Sequence, residues 1–109
     1  MKTPTELEAL LDKTGAAAQE LKLSDPQKAA GICLDAVVEA EEVQDAPRSL
    51  KNQIGRVRLI LASLYLRLYA FDKALESALH AHTIYQDIEL VRGAARSLEF
   101  IGLAHLHLG

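Results

Sequence analysis

The sequence predicts an all-α fold of about five helices, and three observations carry that prediction. Half of the 109 residues are hydrophobic, mostly Ala and Leu, while only 5% are aromatic, a mixture that favours helix over strand. Apolar residues recur at three- and four-residue intervals through most of the chain, and no segment sustains an alternation of period two. Glycine and proline number only 6 and 3, and the prolines fall where helices would begin. The length suits one domain spanning residues 1–109, with enough apolar material for a core without covalent staples.

Each helix has its own signals. Thr3-Pro4-Thr5-Glu6 has capping-box spacing with proline in the first turn, and Leu7, Leu10, Leu11 and Leu21 follow, which predicts helix 1 over residues 4–22. Gly15 costs about 1 kcal/mol against alanine inside a helix, so a kink or break is expected near Thr14-Gly15. Ser24-Asp25-Pro26-Gln27 repeats the capping-box spacing ahead of Ala29, Ala30, Cys33, Ala36, Val37 and Ala40, giving helix 2 over 26–43. Asp45-Ala46-Pro47 opens helix 3, residues 47–68, whose apolar face is Ile54, Leu61, Leu64, Tyr65 and Leu68. Helix 4 is placed at 71–85 and helix 5 at 89–108. The connections that remain are so short that consecutive helices must run antiparallel, which leaves no room for an active-site loop.

Twelve Lys and Arg against fifteen Asp and Glu give a net charge of −3, which is no footprint for nucleic acid or an anionic membrane. The charge is polarised: residues 1–45 hold ten acids and four bases, residues 46–109 five acids and eight bases. Cys33 is the only cysteine, so no internal disulfide can form. The N-terminus lacks the basic start and apolar run of a signal peptide, and the longest apolar stretch, around Leu59 to Ala70, is interrupted by Ser63 and Arg67. A cytoplasmic protein is the expectation.

The chain also repeats itself. Leu61-Ala62 followed by Tyr65 corresponds to Ile101-Gly102 followed by His105 at an offset of forty residues, and Arg56 falls on Arg96. Ala74, Ala78 and Ala81 in helix 4 share a four-then-three spacing of small residues with Ala29, Cys33 and Ala36 in helix 2. Such a stripe lets a neighbouring helix lie close to the backbone. Large-large-small first helices, a tight turn, and second helices with small residues at those intervals resemble the tetratricopeptide repeat. The resemblance is clearest over residues 55–109, in Leu61-Ala62-x-x-Tyr65, Phe71-Asp72-Lys73-Ala74-x-x-x-Ala78-x-x-Ala81 and Phe100-Ile101-Gly102, and looser over 4–43. The period is about forty rather than thirty-four, the turn at Tyr69-Ala70 lacks the usual glycine, and no proline closes helix 4. The longer period looks like the long-helix subtype common in bacterial signalling proteins, often ahead of a diguanylate cyclase or transcription-regulator output domain.

That resemblance implies antiparallel hairpins stacked as a right-handed solenoid of about two and a half repeats, with first helices lining a concave groove. Carried over, the groove-facing positions are Arg56, Leu59, Ser63, Leu66 and Arg67 on helix 3, and Arg96, Glu99, Leu103, Leu106 and His107 on helix 5. Leucines mixed with three arginines would suit an apolar peptide or helix bearing acidic groups. The lysine and asparagine set with which some family members clamp a C-terminal carboxylate is missing. Phe100, Ile101, Leu106 and Leu108 make helix 5 unusually apolar, which predicts self-association as a homodimer.

Residues that invite chemistry have plainer readings. His80/His82 and His105/His107 are two apart, about 200° on a helix, so neither pair can chelate a metal from one helix face. Glu39, Glu41 and Glu42 read as a solvated face, and Cys33 as a buried, inert thiol in the small-residue stripe. With no phosphate-cradling loop, nucleophile elbow or ligand cluster, the expectation is a non-catalytic interaction or oligomerisation module without metal or cofactor. The alternative is a regulatory segment taking a small ligand between helices 1, 3 and 5.

Overall fold

The computed structural model describes residues 1–109 as five helices and no strand: α1 (Pro4–Leu21), α2 (Pro26–Glu41), α3 (Arg48–Arg67), α4 (Phe71–Asp87) and α5 (Val91–Leu108). The expected ends hold to within two residues. At α1 the capping box forms in full, with the Glu6 N–H donating to Thr3 Oγ1 at 3.2 Å and the Thr3 N–H to Glu6 Oε1 at 2.9 Å. At α2 the cap is Asp25, whose Oδ1 accepts from the Lys28 N–H at 3.1 Å; Ser24 instead donates to the Leu21 carbonyl. Pro47 sits just outside α3, with ψ of 155°.

No break occurs at Gly15. Helix α1 continues through it because Gly15 lies against α3, where an added Cβ would stand 3.3 Å from Ile60 Cδ1. The glycine is there for close approach between the helices, and that packing compensates its low propensity.

The central element is α3, which packs against all four other helices. Helix α2 fills the angle between α1 and α3, α4 fills that between α3 and α5, and the backbones of α2 and α4 do not approach each other closely. The odd-numbered helices thus form one layer and the even-numbered helices a second. The shortest dimension of the molecule, 20 Å, is two helix diameters of about 10 Å. Leu7, Leu11, Val37, Leu50, Val57, Leu61 and Leu64 fill the junction of α1, α2 and α3. Both small-residue stripes, Ala29/Cys33/Ala36 and Ala74/Ala78/Ala81, are buried. No helix is long and apolar enough to cross a membrane.

The tight turns obey a common geometry. After α3, the Ala70 N–H bonds to the Tyr65 carbonyl and the Tyr69 N–H to that of Leu66; after α4, Leu90 bonds to Tyr85 and Glu89 to Gln86 in the same pattern. Each is a Schellman ending whose last residue also begins the next helix. The pattern requires a left-handed residue, supplied by Tyr69 (φ 60°) and Glu89 (φ 56°), and Gly109 has φ 85°. These positions are twenty residues apart. The absent glycine at Tyr69 is therefore replaced by strain of about 1 kcal/mol rather than by another turn type. At the forty-residue offset, Ser97 and Ala104, the two buried residues of α5, correspond to Val57 and Leu64, both buried in α3.

Candidate functional site: a basic groove across the odd-numbered helices

A depression of about 270 Å³ crosses the face formed by α1, α3 and α5. Helix α1 contributes Gln19 and its C-capping residue Lys22, α3 contributes Arg56, Leu59, Ile60 and Ser63, and α5 contributes Arg96 and Phe100. The forty-residue offset explains why Arg56 and Arg96 both reach it: equivalent positions on neighbouring helices of one layer face the same way. Arg56 is held by Asp12 at 3.1 Å, and the Arg96 guanidinium lies 5.7 Å from the centre of the Phe100 ring. Lys22 has no carboxylate within salt-bridge distance. Ser63 donates to the Ile60 carbonyl at 2.6 Å, the local bond that lets a hydroxyl sit inside a helix.

The floor of the depression is Tyr85, reaching between α3 and α5 from α4. Its ring is only 4% exposed and lies against two glycines. A Cβ on Gly55 of α3 would stand 2.9 Å from Tyr85 Cζ, and one on Gly93 of α5 would stand 2.3 Å from Cδ1. The missing side chains therefore create the slot that the ring fills. Burial pushes the phenol above its ordinary range, against the opposing pull of the Arg56 charge. Tyr85 lines the groove with its phenol in the neutral form.

Of the ten positions expected to face the groove, Arg56, Leu59, Ser63 and Arg96 come together in it. Leu66 is half-buried, while Arg67, Glu99, Leu103 and Leu106 are exposed beyond its lining. His107 stacks on Phe71 of α4, with ring centres 4.4 Å apart. The four expected self-association residues do not share one surface. Phe100 lines the groove, Ile101 is half-buried, Leu106 is exposed, and Leu108 lies beside Phe71 and Lys73 at the start of α4.

The carboxylates of α2 divide. Glu39 pairs with Lys2 at 2.7 Å on the surface, whereas Glu41 takes a two-pronged contact from Arg58, with Nε at 3.0 Å and Nη2 at 2.5 Å. The expected solvated face is thus corrected at Glu41. Arg58 is only 6% exposed and needs a carboxylate partner, and its own carbonyl accepts from Ser77 at 2.8 Å. His80 Nδ1 stands 3.9 Å from Glu41. No three His, Cys, Asp or Glu residues lie close enough together to hold a metal ion. Cys33 is fully buried and its thiol is pushed up to about 11 by desolvation.

Gln19, Lys22, Ile60 and Tyr85 were not foreseen in the groove, and Phe100, expected at a self-association surface, lines it as well. The pairing of Tyr85 with Gly55 and Gly93 joins three helices and leaves no periodic signal. Lys22 alone had a cue, as the residue that caps α1 one turn beyond Gln19 on the side of Gly15. Comparison of the chain with family models, curated proteins and solved structures gave no match.

Proposed function

We propose that the chain is a non-catalytic protein-interaction module of the tetratricopeptide type, with helices stacked as a right-handed solenoid. Its groove takes a peptide or helix carrying acidic groups among apolar ones. Support for the fold reading comes from the layering, in which each even helix wedges between consecutive odd ones, and from equivalent burial at the forty-residue offset. The turns after α3 and α4 repeat each other at half that interval.

The observation that carries the functional reading is the convergence of Lys22, Arg56 and Arg96 around Leu59, Ile60 and Phe100, with Tyr85 beneath them. Cations beside apolar side chains suit a carboxylate next to a leucine or phenylalanine. The groove lining holds no carboxylate or imidazole to act as a base.

Fluorescence polarisation tests this reading. Labelled peptides of about twelve residues, with glutamates interspersed among leucines, are titrated beside glutamine-for-glutamate controls. Saturable binding to the glutamate series alone, weakened by salt and lost in Arg96→Glu and Lys22→Glu, is the expected result. Equal binding of both series to all variants would remove the basic groove from consideration.

A further inference from the structure

The three cations of the groove are not equivalent. Arg56 donates through Nη1 to Asp12 Oδ1 at 3.1 Å and more loosely to Gln53 Oε1 at 3.5 Å. Asp12 lies outside the lining, two helical turns before Gln19 on the same face of α1. Lys22 and Arg96 have no carboxylate within salt-bridge distance, and Glu99, one turn beyond Arg96, does not reach it. Helix register accounts for the difference. Each of the five buried residues of α1 falls on a buried residue of α3 forty-three positions later, from Leu7 on Leu50 to Ala18 on Leu61. Asp12 thereby falls on Gly55, while Arg56 falls on Arg96 at the forty-residue offset. Where α1 has the carboxylate that holds Arg56, α3 has a glycine, and the space of its missing side chain belongs to the Tyr85 ring.

Resting on the reading of the groove as a site for acidic peptides, we propose that it seats a single carboxylate, held by Lys22 and Arg96, and that Asp12 is the specificity-determining residue that disfavours a second acid at Arg56. A ligand carboxylate approaching Arg56 must displace Asp12 or bear its repulsion. Arg56 is 49% exposed and Asp12 70%, so the contact is weak and its effect on a ligand is a few-fold in affinity rather than a block. The Arg96 guanidinium, 5.7 Å from the centre of the Phe100 ring, has an apolar ring beside it and its N–H fork free of any protein carboxylate. The partner segment is therefore apolar with one acidic residue, not an acidic tract.

The test is fluorescence polarisation at about 0.15 M salt, where charges beyond about 8 Å are screened. Leucine-rich peptides of about twelve residues carry one glutamate, or two at a spacing of three, four or seven. The parent should bind both kinds within about twofold, the statistical factor for two acids. Asp12→Asn should strengthen the two-glutamate peptide of best spacing by about two- to fivefold and leave the one-glutamate peptide within about twofold; adding Arg56→Gln should remove the gain. Arg56→Gln alone should change the parent's binding little, whereas Arg96→Gln should weaken it about tenfold, with thermal midpoints retained throughout. A parent that already prefers two glutamates, an Asp12→Asn chain with no selective gain, or one that binds more weakly because Asp12 positions Arg56 for the ligand, overturns the proposal while the basic groove stands. Failure of the parent to bind either peptide, or binding that survives Arg96→Glu, overturns both.

Discussion

Replacing Gly93 with alanine should lower stability, against the usual rule for an exposed-rim helical glycine. In an open helix position the change gains about 0.5 to 1 kcal/mol from backbone entropy. Here the new methyl would stand 2.3 Å from Tyr85 Cδ1 and 2.5 Å from Cγ and Cε1, where ordinary contact begins at 3.4 Å. The ring must retreat by about 1 Å, yet it is backed by α3 at Gly55, where a Cβ would stand within 2.9 Å of it. Overpacking of this kind costs about 1 to 3 kcal/mol, and so poor a fit falls toward the upper end, leaving a net loss of about 1 to 2 kcal/mol. With an unfolding entropy of about 2.1 cal/mol/K per residue, the melting midpoint should drop by about 4 to 9 °C. Gly102→Ala, where the methyl meets nothing, should raise it by about 2 to 4 °C. Thermal denaturation followed by circular dichroism measures both. Truncating the ring by Tyr85→Leu should cost less in the Gly93→Ala background than in the parent, a coupling of about 1 kcal/mol. If Gly93→Ala raises the midpoint as Gly102→Ala does, Tyr85 is not wedged between the two glycines.

Three other outcomes are expected. Glu41→Ala leaves the buried Arg58 guanidinium without its carboxylate and should cost about 2 to 3 kcal/mol in urea unfolding, short of a fully buried pair because Glu41 keeps some exposure; Arg58→Met, which keeps the stem and removes the charge, should cost less. The Cys33 thiol titrates at about 11 when folded against 9.0 ordinarily, so its contribution is complete below pH 9 and is lost as pH rises through 11. Cys33→Ala should accordingly flatten the decline in urea-unfolding stability between those values, by at most about 2 to 3 kcal/mol. Glu89→Gly relieves a left-handed backbone at φ 56° and should raise the melting midpoint by an amount equivalent to about 1 kcal/mol; a fall would mean that the Glu89 side chain supports the turn.

What could be read from the sequence was local. The Thr3/Glu6 capping box, the starts at Pro4 and Pro26 and the small-residue stripes each depend on residues within one or two helical turns. The turn at Tyr69 was placed correctly, but the residue type hid its left-handed backbone, since tyrosine seldom pays that strain. Gly15 was misread as a weak point because its use, contact with Ile60, lies forty-five positions along the chain. The groove was half legible. Arg56 and Arg96 followed from the groove positions that the family resemblance implies, whereas Tyr85 depends on two glycines in helices before and after its own. Arg58 was missed for a similar reason: its partner Glu41 sits on the preceding helix.

The most direct test of the basic groove is a nuclear magnetic resonance titration of the labelled chain with an acidic, leucine-containing peptide. The account predicts that shift changes concentrate at Lys22, Arg56, Ser63, Tyr85 and Arg96, saturate with one peptide per chain, and vanish in Arg96→Glu. Changes confined to other surfaces, or persisting in that variant, would contradict it.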